Sequence, residues 1–138
     1  PAWDHLLPDD LLADMNPDGD VPLMLDGSGQ SLKRNFVHVG DLVGAILAAL
    51  DNPAARQRLF NIAMDEPVDY GRVAAHLART RHLRPIRIAT PYHSNWLDNP
   101  AARQALGWRP ATGLEAMIEM AWAWEREEGD PRKVWYPG

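Results

Sequence analysis

The sequence predicts an α/β fold, a partial and small mixed sheet with flanking helices. Two observations carry this. Short β-branched or apolar runs, at Val21–Leu25, Asn35–Val39, Leu59–Ala63 and Ile86–Ala89, alternate along the chain with stretches of helical period. Most boundaries between them hold a capping or breaking residue. The chain has 138 residues, the length of one ordinary domain, and its apolar fraction of 46% is enough for a core. The strands are too few for a complete doubly wound sheet.

Residues 1–20 are acidic and rich in Pro and Asp, with a short helical candidate at Leu11 to Met15. Asn16-Pro17-Asp18-Gly19 signals a turn. Val21–Leu25 reads as a strand, Asp26-Gly27-Ser28-Gly29-Gln30 as a loop and Asn35–Val39 as a second strand, so the three predict a hairpin with a glycine-containing connection. Asp41 stands where a helix cap is expected, and Val43, Ile46, Leu47 and Leu50 form the apolar stripe of the helix that follows. Asn52-Pro53 stops it.

Leu59–Ala63 reads as a short buried strand, broken by Asp65-Glu66-Pro67. Asp69 is the expected cap of a second helix through Val73, Ala74, Leu77 and Ala78. After Pro85 comes the strand Ile86–Ala89. Asn99 and Pro100 open a short helix to Leu106, ended by Gly107 as a left-handed cap. Thr112 or Gly113 opens the last helix, which runs to about Glu127. Leu114, Met117, Ile118, Ala121 and Trp122 share one of its faces, while Met120 and Trp124 extend the apolar surface around the cylinder. Either a partner covers this surface, or the tail with Trp135 and Tyr136 folds back over it. Residues 1–20 are thus a lead-in, 21–128 a domain and 129–138 a tail without periodicity.

Composition excludes several functions. The formal net charge of -5 argues against nucleic acid as a general partner. The basic run Arg79 to Arg87 fits a solvated helix C-terminus, whose cations suit the helix dipole. There is no cysteine, which excludes disulfides and thiolate metal sites and fits a reducing, cytoplasmic compartment. The five histidines have no metal-ligand spacing, so no metal is expected. No apolar run approaches the roughly 20 residues of a membrane span, and the first residues do not form a signal peptide. A chain beginning at Pro1 rather than Met is expected to be processed or cut from something longer.

The chemistry-bearing stretch is Lys33-Arg34-Asn35-Phe36-Val37-His38-Val39-Gly40-Asp41-Leu42. An arginine at the lip of a strand can donate two parallel hydrogen bonds to an anion. A surface arginine paired with Asp26 or Asp41 is the structural alternative. His38 is expected to be a buried imidazole bonded to backbone. His93, in a loop, can reach a substrate. Trp108 is expected to pack rather than to stack on a ligand.

Four pieces resemble the C-terminal half of the NAD-dependent epimerase/dehydratase family, the extended short-chain dehydrogenases. Pro22 to Gln30 looks like the family's strand and glycine loop, and Arg34 to Asp41 resembles its Arg-Asp-Phe-(Val/Ile)-His-Val-x-Asp run. Leu59–Ala63 resembles Val-Phe-Asn-Ile-Gly. Asp98, Arg103 and Leu106-Gly107-Trp108-Arg109-Pro110 resemble Asp-x-x-Lys-Ala-x-x-x-Leu-Gly-Trp-x-Pro.

The resemblance implies a substrate-binding portion separated from its Rossmann domain, which becomes an expected partner. Arg34 would hold the diphosphate of a nucleotide sugar, with Met24, Asp26, Asn35 and His93 as further substrate contacts. NAD or NADP would serve the intact protein, with none expected on this chain alone. The reaction would be that of an epimerase, dehydratase or reductase, and a homo-oligomer is possible for the intact protein. Departures from the pattern are Asp26 where a large apolar or aromatic side chain is common, Asn35 for Asp, Gly40 for an acid, and Tyr92 and His93 where several members carry a second phosphate-binding arginine.

The family's catalytic Tyr-x-x-x-Lys pair is not here, since Tyr70 is followed four residues on by Ala74. Whether this chain is itself an enzyme is therefore left open. Rival readings are a family member acting on a sugar acid or hydroxy acid, and a non-catalytic binding or interaction domain.

Overall fold

The computed structural model describes residues 15, 16 and 18–124. The helical candidate before Met15 and the tail lie outside the described residues. Strand β1 (Asp20–Leu25) pairs in parallel with β4 (Arg84–Ala89), from Asp20↔Arg84 to Leu25↔Ala89. Each strand carries a proline, Pro22 and Pro85, and each has one described partner, so a missing N–H can face the unpaired side. A second pair is very short, with β2 (Lys33–Arg34) antiparallel to β3 (Val68–Asp69). Four helices follow the predicted order: α1 (Val39–Ala49), α2 (Tyr70–Arg81), α3 (Pro100–Leu106) and α4 (Leu114–Ala123).

Several expectations are met at the level of single residues. Asp69 caps α2, its carboxylate accepting from the Gly71 amide at 2.8 Å. Gly107 ends α3 with φ 65°, and Gly113 rather than Thr112 precedes α4. Trp108 is buried and packs on Ala45 and Ala102. Two arginines of the basic run find carboxylates on other elements. Arg84 forks onto Asp20 at 2.9 and 3.1 Å, and Arg81 bonds Glu119 on α4. Arg79 can only donate, so its contact makes His76 Nδ1 an acceptor and Nε2–H the donor to Glu119 at 2.6 Å.

Other expectations need correction. The hairpin is a closed turn with one bridge, Leu25↔Ser31, because β1 finds its ladder with β4 instead. Asn35–Val39 is not a strand. The ladder ends at Arg34, and α1 begins at Val39 with His38 as its cap, the ring Nδ1 accepting from the Gly40 amide at 3.1 Å. His38 is half-buried, so its bond to backbone holds and its burial in a strand does not. Asp41 is not the cap, because its carboxylate receives the amides of Ala111 and Thr112, both at 3.0 Å. Burial pushes the Asp41 carboxyl up, and those hydrogen bonds outweigh it, leaving the group below its ordinary value.

Leu59–Ala63 is not a strand either. One backbone bond, Met64 N–H to Phe36 C=O at 2.9 Å, joins the two extended apolar segments, and Leu59 is 92% exposed. The apolar stripe of α1 is likewise bare: Val43, Ile46, Leu47 and Leu50 are 48, 51, 63 and 62% exposed. The side turned inward is small, with Ala45 buried and Gly44 against the Trp108 ring. Among the described residues the buried apolar side chains fall into four small clusters, two of them joined through Val73 and Ile118.

Candidate functional site

The site is assembled where the β1–β2 turn, β2 and the irregular segment 90–97 meet. Asp26 organises the turn. One carboxylate oxygen accepts from Ser28 N, Ser28 Oγ and Gln30 N at 2.9, 2.6 and 3.2 Å. The other accepts from Ser94 Oγ at 2.8 Å. The Ser28 and Ser94 hydroxyls favour the ionised form and hold the Asp26 carboxyl down at about 2. Ser94 Oγ in turn accepts from Lys33 N at 3.1 Å, and Asn95 N donates to Lys33 C=O at 3.1 Å. Gly27 N donates to Tyr92 C=O at 2.9 Å, Thr90 Oγ1 to Leu25 C=O at 2.8 Å, and Leu97 N to Asn35 Oδ1 at 2.6 Å. A segment without helix or strand is thereby fixed along β2 by hydrogen bonds at almost every residue.

Arg34 lies across this segment. Its Nη1 donates to the His93 carbonyl, and its guanidinium stacks on the Tyr92 ring, 5.5 Å from the centroid. Lys33, the next residue on β2, is drawn to Trp96, 6.0 Å from that centroid. Among the described residues Arg34 makes no ion pair: Asp26 is committed to the turn and Asp41 to Ala111 and Thr112. The Tyr92 ring is 42% exposed and Trp96 57%. Tyr70 stands nearby in the apolar layer. Burial raises its phenol, and the Arg34 charge opposes that.

Four residues singled out from the sequence therefore meet here, in different roles. Arg34 offers a charged edge outward, Asp26 and Asn35 hold the segment, and His93 contributes its carbonyl. Met24 stands apart, buried against Leu32 and Ile88. Tyr92, Ser94 and Trp96 were not singled out as a group. The one signal for them in the sequence is two aromatic residues four apart in a loop.

A cleft of about 340 Å³ elsewhere, lined by Asp65, Glu66, Arg72, Thr112 and Glu115, has its cation already bridged to Glu66 and Glu115 at 2.8 and 3.0 Å. Among the described residues no group of three His, Cys, Asp or Glu is placed to hold a metal. No described helix is long and apolar enough to cross a membrane.

The fit to a dinucleotide is poor. Asp26 N donates to Gln30 C=O at 2.7 Å and Gly29 N to Asp26 C=O at 2.8 Å, so Gly27 and Gly29 close a tight turn into β2. The pyrophosphate cradle of a dinucleotide needs a helix to open at that point.

No protein-family profile matches the chain. A curated relative from Streptomyces sp., a 3-diazoavenalumate denitrifying reductase, is 32% identical over 107 residues, 67% of this chain and 34% of that protein. Among solved structures, a short-chain dehydrogenase/reductase superfamily protein from Agrobacterium tumefaciens with bound NAD superposes with a TM-score of 0.70 at 25% identity, over 81% of this chain and 35% of its own. UDP-glucose 4-epimerase from Thermotoga maritima, with UDP-glucose, gives 0.57 at 23% identity over 72% and 33%. UDP-glucuronic acid 4-epimerase from Bacillus cereus, with NAD, gives 0.56 at 22% identity over 71% and 31%. The chain spans about a third of the length of each of these proteins. Its α/β fold is that of part of a short-chain dehydrogenase/reductase.

Proposed function

We propose that this chain is the C-terminal, substrate-binding portion of an NAD(P)-dependent short-chain dehydrogenase/reductase, working with a nucleotide-binding Rossmann half that also carries the hydride chemistry. The observation that carries this is Arg34. It has no carboxylate partner among the described residues and is held from behind by the Tyr92 ring and the His93 carbonyl. A guanidinium fixed in this way is ready to receive an anion without a large ordering cost. Remote binding of that kind helps to orient the reacting carbon. The intact protein would work in the cytoplasm.

The bare stripe of α1 and the unpaired segment 59–63 support the partner half of this reading. An apolar helix face next to an extended segment without a ladder is what a missing sheet and its covering layer would fill.

Two substrate classes remain in play. The solved neighbours with UDP-sugars support a nucleotide sugar and an epimerase, dehydratase or reductase reaction. The curated relative is named for a carboxylate that is not a nucleotide sugar, which supports the alternative of a small organic acid, a sugar acid or hydroxy acid among them. Arg34→Ala in the intact protein is expected to weaken substrate binding by roughly 10- to 100-fold, the range for loss of a charged hydrogen bond, and to leave cofactor affinity alone. Calorimetry reads both quantities, and unchanged substrate binding would overturn the proposal.

A further inference from the structure

Resting on the reading of Arg34 as the substrate's anion site, we infer that this site holds a single anionic group, a carboxylate or one phosphate, and discriminates against a diphosphate. The limit is one of charge. A guanidinium has five N–H donors in a planar fork. One nitrogen of Arg34 is spent on the His93 carbonyl, and one face lies on Tyr92. The N–H groups that remain can grip an anion in bidentate fashion, but they carry between them a single positive charge.

A diphosphate needs a second cationic contact beside the first. Segment 90–97, Thr-Pro-Tyr-His-Ser-Asn-Trp-Leu, contains neither lysine nor arginine. The adjacent cation, Lys33, lies over Trp96, 6.0 Å from the ring centroid, and successive side chains on a strand point to opposite faces. In place of a second cation the site offers the Tyr92 hydroxyl, which has no hydrogen-bond partner among the described residues. A phenol O–H can donate one neutral hydrogen bond to a carboxylate or phosphate oxygen. It cannot balance a second negative charge that has been stripped of water.

Asp26 gives the arrangement its rigidity. Through Ser94 and the Gly27–Tyr92 bond it fixes the segment that fixes Arg34. Arg34 therefore cannot swing out freely to share two phosphates.

The test uses the full 138-residue chain, titrated with glucuronate, glucose 1-phosphate and UDP, and followed by calorimetry and by the NMR signals of the Tyr92 ring. Glucuronate or glucose 1-phosphate is expected to bind at least as tightly as UDP. Tyr92→Phe should weaken the single anions several-fold, about the loss of one neutral hydrogen bond, with little effect on UDP. His93→Arg, which supplies the second cation, should raise UDP affinity about ten-fold or more over glucuronate. UDP binding ten-fold tighter than both single anions in the unmodified chain, and lost in Arg34→Ala, would overturn this inference and leave the anion site standing. Binding of all three probes that is unaffected by Arg34→Ala would overturn both.

Discussion

Asp26 is the residue on which the site turns, although it touches no substrate in this account. Four hydrogen bonds converge on its carboxylate, and they hold it at about 2 against an ordinary 3.8. A carboxyl whose folded value lies below its unfolded one contributes stability that is complete above the unfolded value and lost as pH falls toward the folded one. That window runs from 3.8 down to about 2. Asp26→Asn should flatten the acid limb of a denaturation-against-pH curve across it, and should loosen segment 90–97 at neutral pH. Acid limbs of equal slope in the two proteins would show that the carboxylate is not what ties the turn to Ser94. Arg34, Asp26, Asn35 and His93 were legible in the sequence because they sit in or near recognisable runs. Ser94 was not, because its partner Lys33 lies 61 residues away and a serine in a loop advertises nothing.

The same limit governs whole elements, and α1 shows it most clearly. Its period and its apolar stripe were readable. What the stripe faces was not, because hydrophobic spacing requires a cover without naming it. The helix start was misread for a related reason: Asp41 was expected as the cap, and the demand that removes it comes from Ala111 and Thr112, 70 and 71 residues on, which leaves His38 to cap instead. The two sides of α1 should therefore respond differently to substitution. Leu47, 63% exposed, can become Glu with a stability change of about 0.5 kcal/mol or less in this chain. Ala45, buried against Ala102 and Trp108, cannot become Leu without overpacking, at about 1–3 kcal/mol. Urea denaturation of both variants measures the contrast. A large loss from Leu47→Glu would mean that its side chain is already covered in solution.

At the scale of the molecule, the unpaired parts lie together. Phe36 and Met64 join the two extended segments by a single backbone bond, α1 connects those segments, and its stripe is bare. A segment without a ladder is costly only if its backbone polar groups lose water and gain no partner, and at the buried end of 59–63 the Ala63 carbonyl accepts from Asn99 Nδ2 at 2.9 Å. Sequence propensity read this segment as a strand, and the structure gives it none, because an apolar run forms a strand only where a ladder partner is at hand. Hydrogen exchange separates the two states. In this chain the amides of 59–63 should exchange with little protection while those of β1 and β4 are slow, since the latter pair over six residues each. In the intact protein, the 59–63 amides should become as slow as the sheet, and Leu47→Glu should restore their fast exchange by preventing the helix face from seating. Strong protection of 59–63 in the chain by itself would mean that the segment satisfies its own backbone, and the surface for a nucleotide-binding half would then have to lie elsewhere.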